Sequence, residues 1–302
     1  MKYQVKKWDR EKFPALHRCA DDASKDAQCR YLLWIAFNLA LLILGSIEGA
    51  YHGISPSTRI ASLIISGGSF FLGISVSLLL AYMRWERVWF SGRAVAESVK
   101  SLAWKFSIGA DPFPTSLPLK DALDRLTAQF RELMKDHKDL AATFVGSEIA
   151  GDQVTSFMTG LRESAVGARR DAYLAQRVHD QQVWYGQKAN YNRRCQTGWF
   201  VAFISFQLLA CITTVLPMVH DGTPWHLGGI FGTVATAILA WGQVKQYQEL
   251  TQAYGYAAQE LSMIAARGAY ISSDYELGRF VADAETAISR EHTAWVARRE
   301  TS

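Results

Sequence analysis

Four cysteines in 302 residues, with no Cys-x-x-Cys pair and no cysteine–histidine cluster, give no basis for a disulfide framework or a zinc site. There is no glycine-rich phosphate loop, no HExxH, no GxSxG and no carboxylate pair at a useful spacing. No enzyme is therefore expected, and no cofactor or metal is called for. Positive charge is in slight excess, +4 at neutral pH, which argues for attraction to anionic lipid rather than for nucleic acid. A cleavable leader is not expected, because the residues before the first apolar block are polar and include Asp21, Asp22 and Asp26. The most informative shortage is local: residues 31–51, 60–83, 199–219 and 226–244 hold almost no charge.

A helix rises about 1.5 Å per residue, so about 20 residues cross a hydrocarbon core of about 30 Å. All four blocks have about that length, whereas the soluble alternative would require four such buried helices in one domain of this size. The expected fold is an all-α membrane protein of two tandem two-span hairpins. The linkers inside the pairs, HGISPST and HDGTPW, are short, and Arg59 is the basic residue close to either. All other Lys and Arg lie in the N-terminal arm, the centre and the C-terminal arm. The positive-inside rule places those three regions, and both termini, in the cytoplasm. Cys19, Cys29 and Cys195 then fall on the cytoplasmic side and Cys211 in the membrane.

The polar arm before residue 31 reads as an amphipathic helix leading into span one. Span two reads as running straight on through RWERVWFSGRAVAESVKSLAWKFSIG, with Val88, Val95, Val99, Leu102 and Phe106 on one side. Residues 119–138 form a further amphipathic pattern, and 146–151 a turn. From Tyr173 a basic, aromatic ramp climbs without a proline into span three, with Tyr173, Arg177, Gln181, Trp184, Lys188, Asn192 and Cys195 along one helical face. Residues 275–299 read as a last, mostly charged helix. The second half repeats the first: GRAVAE at Gly92 corresponds to GYAAQE at Gly255, an offset of 255 − 92 = 163 residues. That offset fits duplication of a two-span module. The chain divides accordingly into a first unit at 1–113, a connector at 114–168 and a second unit at 169–302, with long helices extending from the spans into a cytoplasmic helical bundle.

Two stretches resemble a known family. Arg169, Tyr173, Leu174, Arg177, Val178, Asp180, Gln181, Trp184, Tyr185, Lys188, Ala189 and Asn192 form the pattern RxxxYLxxRVxDQxxWYxxKAxxN. It is similar to the juxtamembrane helix of the SLATT family, the SMODS- and SLOG-associating two-transmembrane effectors of bacteria. The segment WxxGRAxAExxKxxxWKFxxGxxPF, from Trp89 to Phe113, resembles the region after the second span in tandem members. The resemblance covers nearly the whole chain. It implies a bacterial inner-membrane, pore-forming effector of anti-phage conflict systems, working beside a cytoplasmic sensor protein or a nucleotide signal.

Candidate residues follow, each with a plainer reading beside it. Asn38, Glu48 and His52 share a face of span one and are the pore-lining candidates. Glu48 and His52 equally suit an interfacial pair marking the membrane edge. Ser62, Ser66, Ser69, Gly73 and Ser77 on span two, and Gly229, Gly232 and Thr236 on span four, form small-residue stripes that let helices approach closely. Arg30, Arg84, Arg87, Arg193, Arg194 and Lys245 at the inner span ends read as headgroup anchors. Trp34, Trp85, Trp89, Trp199, Trp225 and Trp241 read as an aromatic belt. Arg93, Glu97, Arg177, Gln181, Trp184, Tyr185, Lys188 and Glu260 form a cytoplasmic group, either a trigger face or a salt-bridge and cation–π network holding the bundle. Arg177 or Lys188 is expected to pair with Glu97 or Glu260. Spans with so few polar residues cannot line a wide conduit alone, so a homo-oligomer is expected. The competing expectation is a non-conducting, membrane-anchored scaffold or sensor that recruits a cytoplasmic partner.

Overall fold

Long apolar and amphipathic periodicities make helices here, and among the described residues there is no strand. The computed structural model describes residues 8–51, 56–144, 151–219 and 227–300. After a short 3-10 turn (Arg10–Lys12) come α1 (Ala15–Tyr51), α2 (Pro56–Met83) and α3 (Trp85–Ile108). The centre holds α4 (Leu119–Asp136), α5 (Lys138–Ala141), α6 (Ser156–Arg162) and α7 (Val166–Tyr173). A π-helical turn (Leu174–His179) joins α7 to α8 (Asp180–Val219). The chain closes with α9 (Leu227–Lys245), α10 (Tyr247–Gly268) and α11 (Asp274–Glu300).

Among the described residues, four helical stretches are long and apolar enough to cross a bilayer, with mean hydropathy between 1.4 and 2.1 in their most apolar windows. Their large apolar side chains face outward. Ile64 is 68% exposed, Phe71 72% and Phe200 63%. A soluble domain rarely leaves so much contiguous apolar surface uncovered, and lipid is the solvent that accepts it. The protein is an all-α membrane protein.

By contact, the chain divides into two compact units that are not contiguous in sequence. The first gathers Met1–Gln28, Glu86–Ala189 and Gln252–Ser302; the second gathers Cys29–Trp85 and Asn190–Thr251. The second unit contains the span segments. In its first hairpin, Ser62, Ser66, Ser69 and Gly73 of α2 are buried. The Ser66 hydroxyl donates to the Gly45 carbonyl at 2.8 Å, and a Cβ on Gly45 would meet the Phe70 ring at 3.0 Å. Small residues here allow two backbones to approach where lipid offers no hydrophobic reason to associate.

The first unit is a helical bundle. Val95, Val99, Trp104 and Phe106 of α3 are essentially inaccessible and pack with Leu126 and Phe130 of α4, Met158 of α6, and Leu277 and Val281 of α11. Gly92 lets α1 lie against α3: a Cβ there would sit 3.0 Å from both the Ala20 carbonyl oxygen and Ser24. Ser24 donates its hydroxyl to the Trp89 carbonyl at 2.9 Å in the same crossing. Gly109 ends α3 with φ +76, and an added Cβ would lie 2.5 Å from Thr115. Arg162 secures the following turn, donating to the carbonyls of Phe106, Phe113 and Pro114 at 3.0, 2.7 and 2.7 Å. From the N-terminal end, the Trp8 ring packs 3.8 Å from Trp104.

One expectation is corrected. Span two does not run on as a single helix, because Arg84 stands between α2 and α3 at φ 50. Gln246, between α9 and α10, has φ 50 as well, so both halves carry the same break. One left-handed residue costs about 1–2 kcal/mol and leaves the apolar periodicity on either side intact, which is why the pattern hides it.

Candidate functional site

The ramp after α7 is not a uniform α-helix. Leu174–His179 is π-helical, under-wound relative to its flanks by one extra residue in the turn, and such turns recur at functional sites. Arg177 lies inside it and is 1% exposed. Its Nε donates to Glu285 Oε1 at 2.9 Å and its Nη2 to Glu285 Oε2 at 2.7 Å. The Tyr173 hydroxyl donates to Glu285 Oε1 at 2.9 Å. Glu285, on α11, is itself 1% exposed. Burial pulls the Arg177 guanidinium down, but the Glu285 charge and its hydrogen bonds outweigh that and hold it above its ordinary value. Burial pushes the Tyr173 phenol well up, reinforced by Glu285, so it stays a donor. The third guanidinium nitrogen, Nη1, is buried without a hydrogen-bond partner.

Arg177 borders a cavity of about 230 Å³. The structure brings six of the eight residues of the expected cytoplasmic group to its wall: Arg93, Glu97, Arg177, Gln181, Trp184 and Tyr185. The Arg93 guanidinium stands 5.9 Å from the Trp184 ring centre, and Trp184 and Tyr185 meet edge to face at 5.3 Å. Of the other two, Lys188 is exposed, with its ammonium 5.8 Å from the Trp184 ring, and Glu260 is half-buried on α10. Neither borders the cavity. Lys100 approaches Glu97 at 4.0 Å, and burial lowers its ammonium below the usual value.

For Arg177 the expected ion pair is corrected in its partner. Arg177 is held by Glu285, not by Glu97 or Glu260. The two residues are 108 apart, and helical spacing carries no information about which distant helix folds back on the ramp. Ser98, Ser101, His137 and Ser289 also line the cavity, and none was singled out by the sequence. A signal for Glu285 did exist: it stands among Val281, Ala284 and Ile288, on the apolar stripe of an otherwise charged helix. Arg169, another residue of the ramp motif, donates from Nη1 to the Ile108 carbonyl at 2.5 Å and pairs with Asp274, which ties α7 to the end of α3 and the start of α11.

In the spans, Asn38 turns toward α2. Its Nδ2 donates to the Ser77 hydroxyl at 3.0 Å, and its Oδ1 lies 3.1 Å from where a Cβ on Gly73 would stand. That placement makes it part of the hairpin contact. Ser77 is exposed, and its hydroxyl donates in turn to the Gly73 carbonyl at 3.0 Å. Glu48 is half-buried near the end of α1, and His52 lies outside the described residues, as does Trp225. The small-residue stripe of span four is corrected by one position. Gly229 and Thr236 are exposed, and a Cβ on Gly229 or Gly232 would meet nothing within 4 Å. The packed face instead runs through Gly228, Phe231 and Ala235: a Cβ on Gly228 would lie 2.1 Å from Thr214 Oγ1, and Phe231 meets Phe206 at 6.1 Å. Adjacent glycines offer two overlapping tracks about 100° apart, and the bulky partners on α8 choose between them.

Residues 14–170 match the family model described as SMODS and SLOG-associating 2TM effector domain 3, and residues 173–295 match SMODS and SLOG-associating 2TM effector domain 1. The seam between the matches falls immediately before the π-helical turn. Neither the curated proteins nor the solved structures contain a match.

Proposed function

The chain belongs to the SMODS and SLOG-associating two-transmembrane effector family, with two such domains in tandem, and we propose on that premise that it is an oligomeric, channel-forming effector of a bacterial conflict system. The reading places it in the inner membrane with both termini and the helical bundle in the cytoplasm, because basic residues concentrate outside the apolar blocks on that side. It assigns the protein no chemical step of its own. Its trigger, a sensor protein or a small signal, acts on the bundle.

The observation that carries this reading is α8. This helix of 40 residues begins next to the buried Arg177 pair, contributes Gln181, Trp184 and Tyr185 to the cavity wall, and continues unbroken into a span segment. A rigid helix transmits rotation or tilt along its length, so a change at its first turn reaches the apolar half without an intermediate. Subunit association supports conduction, since four spans with few polar side chains cannot enclose a wide path alone. Expression of the inserted protein in bacteria loaded with a voltage-sensitive dye tests the proposal. Depolarisation on triggering is expected, and an unchanged potential with correctly inserted protein refutes conduction in favour of a non-conducting anchor. That second reading draws on Asn38, whose amide serves the hairpin contact.

A further inference from the structure

We propose that the outer face of α10 is a self-association surface, and that its partner is the same face of a second copy of this chain. From Gln252 onward α10 belongs to the helical bundle rather than to the span segments, so lipid tails do not cover it. Its inner side is held by Ala257, Leu261 and Ile264, which are buried. Gln252, Tyr256, Gln259, Met263 and Ala266 are exposed, at steps of four, three, four and three residues. Tyr256 is 66% exposed, Met263 67%, and Tyr270, just past the helix end, 86%. A repeat of 3.5 residues is the seam along which one helix packs on another, with Tyr256 and Met263 as its large knobs.

The internal repeat says what kind of element is missing. In the first half α3 is the counterpart of α10, because GRAVAE at Gly92 corresponds to GYAAQE at Gly255. No residue of α3 from Val88 to Ile108 is exposed. α1 covers one side of it, where Ser24 meets Trp89, and α8 another, where Trp184 meets Arg93. Trp184 and Tyr185 of α8 also meet Tyr254 of α10, at 5.4 and 5.7 Å. Thus α3 lies between helices of both modules, whereas α10 keeps an open side. The glycines record the difference: a Cβ on Gly92 would sit 3.0 Å from the Ala20 carbonyl oxygen, and one on Gly255 would meet nothing within 4 Å. The ramps of α1 and α8 already pack within the bundle, so a further helix of this kind comes from another copy.

Charge decides which face of that copy fits. The seam is uncharged, and residues 246–266 contain no Lys or Arg, which an anionic lipid surface would call for. The exposed sides of α1 and α4 carry Asp22, Lys25 and Asp26, and Lys120, Asp121 and Glu132, whose hydration would be lost against tyrosine and methionine. The seam meets no such cost against itself. A two-fold axis makes one patch both halves of an interface, and a polar residue within a seam, here Gln259, fixes its register. Tyr256, Met263 and Tyr270 offer roughly 400 Å² per copy, at 150–250 Å² for a buried aromatic, and the smaller residues bring the pair to roughly 1,000 Å². That is the lower limit for a specific interface. Confinement of the copies to one membrane in one orientation, for which alone this inference rests on the reading above, raises their effective concentration.

For the test, full chains with two different epitope tags are co-expressed in bacteria, one of them carrying p-benzoyl-phenylalanine in place of Tyr256. Illumination is expected to give a product of twice the chain mass that carries both tags. The same probe in place of Lys120, on the exposed side of α4, is expected to give none. Met263→Glu in both copies sets carboxylates against each other in the seam and is expected to lower the yield about tenfold or more. Met263→Lys replaces it should the glutamate variant fail to reach the membrane at the wild-type level. Absence of the doubly tagged product, equal products from the two probe sites, a product of another mass, or an undiminished yield in the charged variant overturns the proposal. Conduction is read separately by the dye, so depolarisation without the cross-link defeats this inference and leaves the effector reading standing.

Discussion

Replacing Glu285 by Gln should be the most damaging single-atom change in the bundle. Both members of its pair with Arg177 are 1% exposed, the pair is bidentate, and Tyr173 hangs on the same carboxylate. The amide keeps one acceptor for Tyr173 but removes the charge, so Arg177 stays buried without a counter-ion. Breaking a buried pair from one side costs about 3–5 kcal/mol, because a desolvated charge is left over. For a bundle of this size each kcal/mol moves the melting temperature by about 2–4 °C, which gives a drop of about 6–20 °C. The assay is thermal unfolding of the full chain in detergent, followed by tryptophan fluorescence, since Trp104 and Trp184 lie within 6 Å of Tyr173 and Tyr185 respectively, at 5.5 and 5.3 Å. The double variant Arg177→Met with Glu285→Leu removes both charges and should recover most of the loss, as replacing both partners by apolar groups is commonly near neutral. A drop below about 2 °C in Glu285→Gln, or a double variant worse than the single, refutes the account of a desolvated pair that needs both halves.

Two further outcomes test other parts of the structure. Gly228→Leu drives a side chain into Thr214 and the Ala210 carbonyl and should loosen the second hairpin by about 1–3 kcal/mol in a detergent unfolding titration. A Cβ at Gly229 meets nothing within 4 Å, so Gly229→Leu should leave the hairpin unchanged while weakening self-association seen by cross-linking; equal effects of the two changes would refute the assigned register. His17 supplies a pH dependence: burial, followed by the charge of Lys100, pushes it from 6.5 down to about 4. The unfolded chain therefore binds a proton that the fold refuses between those values. Stability is full above about 6.5 and falls as pH drops toward 4, by about 3 kcal/mol in all. His17→Phe keeps the ring against Phe13 and should flatten that part of the pH–melting curve; an unaltered acid slope would show that His17 is not its source.

The four apolar blocks and the tandem organisation were legible because both depend on local composition, on charge missing over a span-length run and on a motif returning at 163 residues. The ramp face was legible for the same reason. Of that face, Arg177, Gln181 and Trp184 line the cavity and Tyr173 shares Glu285 with Arg177, while Lys188 is exposed; three- and four-residue spacing places residues on one side of a helix whatever it packs against. The π-helical turn was not legible, because one extra residue in a turn changes the phase of a pattern without changing its letters. The breaks at Arg84 and Gln246 escaped likewise, as neither residue is a glycine that would announce a left-handed backbone.

By itself, then, the sequence determined that this protein is helical, that it crosses a membrane in two related hairpins, and which face of the ramp carries its polar and aromatic groups. Only the tertiary structure decided that Glu285 rather than Glu97 or Glu260 neutralises Arg177, that α9 packs through Gly228 and Ala235, and that a cavity stands beside the pair. The reason is one of range: periodicity and hydropathy act over a few turns of one helix, whereas partner choice depends on which helices fold back together, an outcome set by packing summed over the bundle.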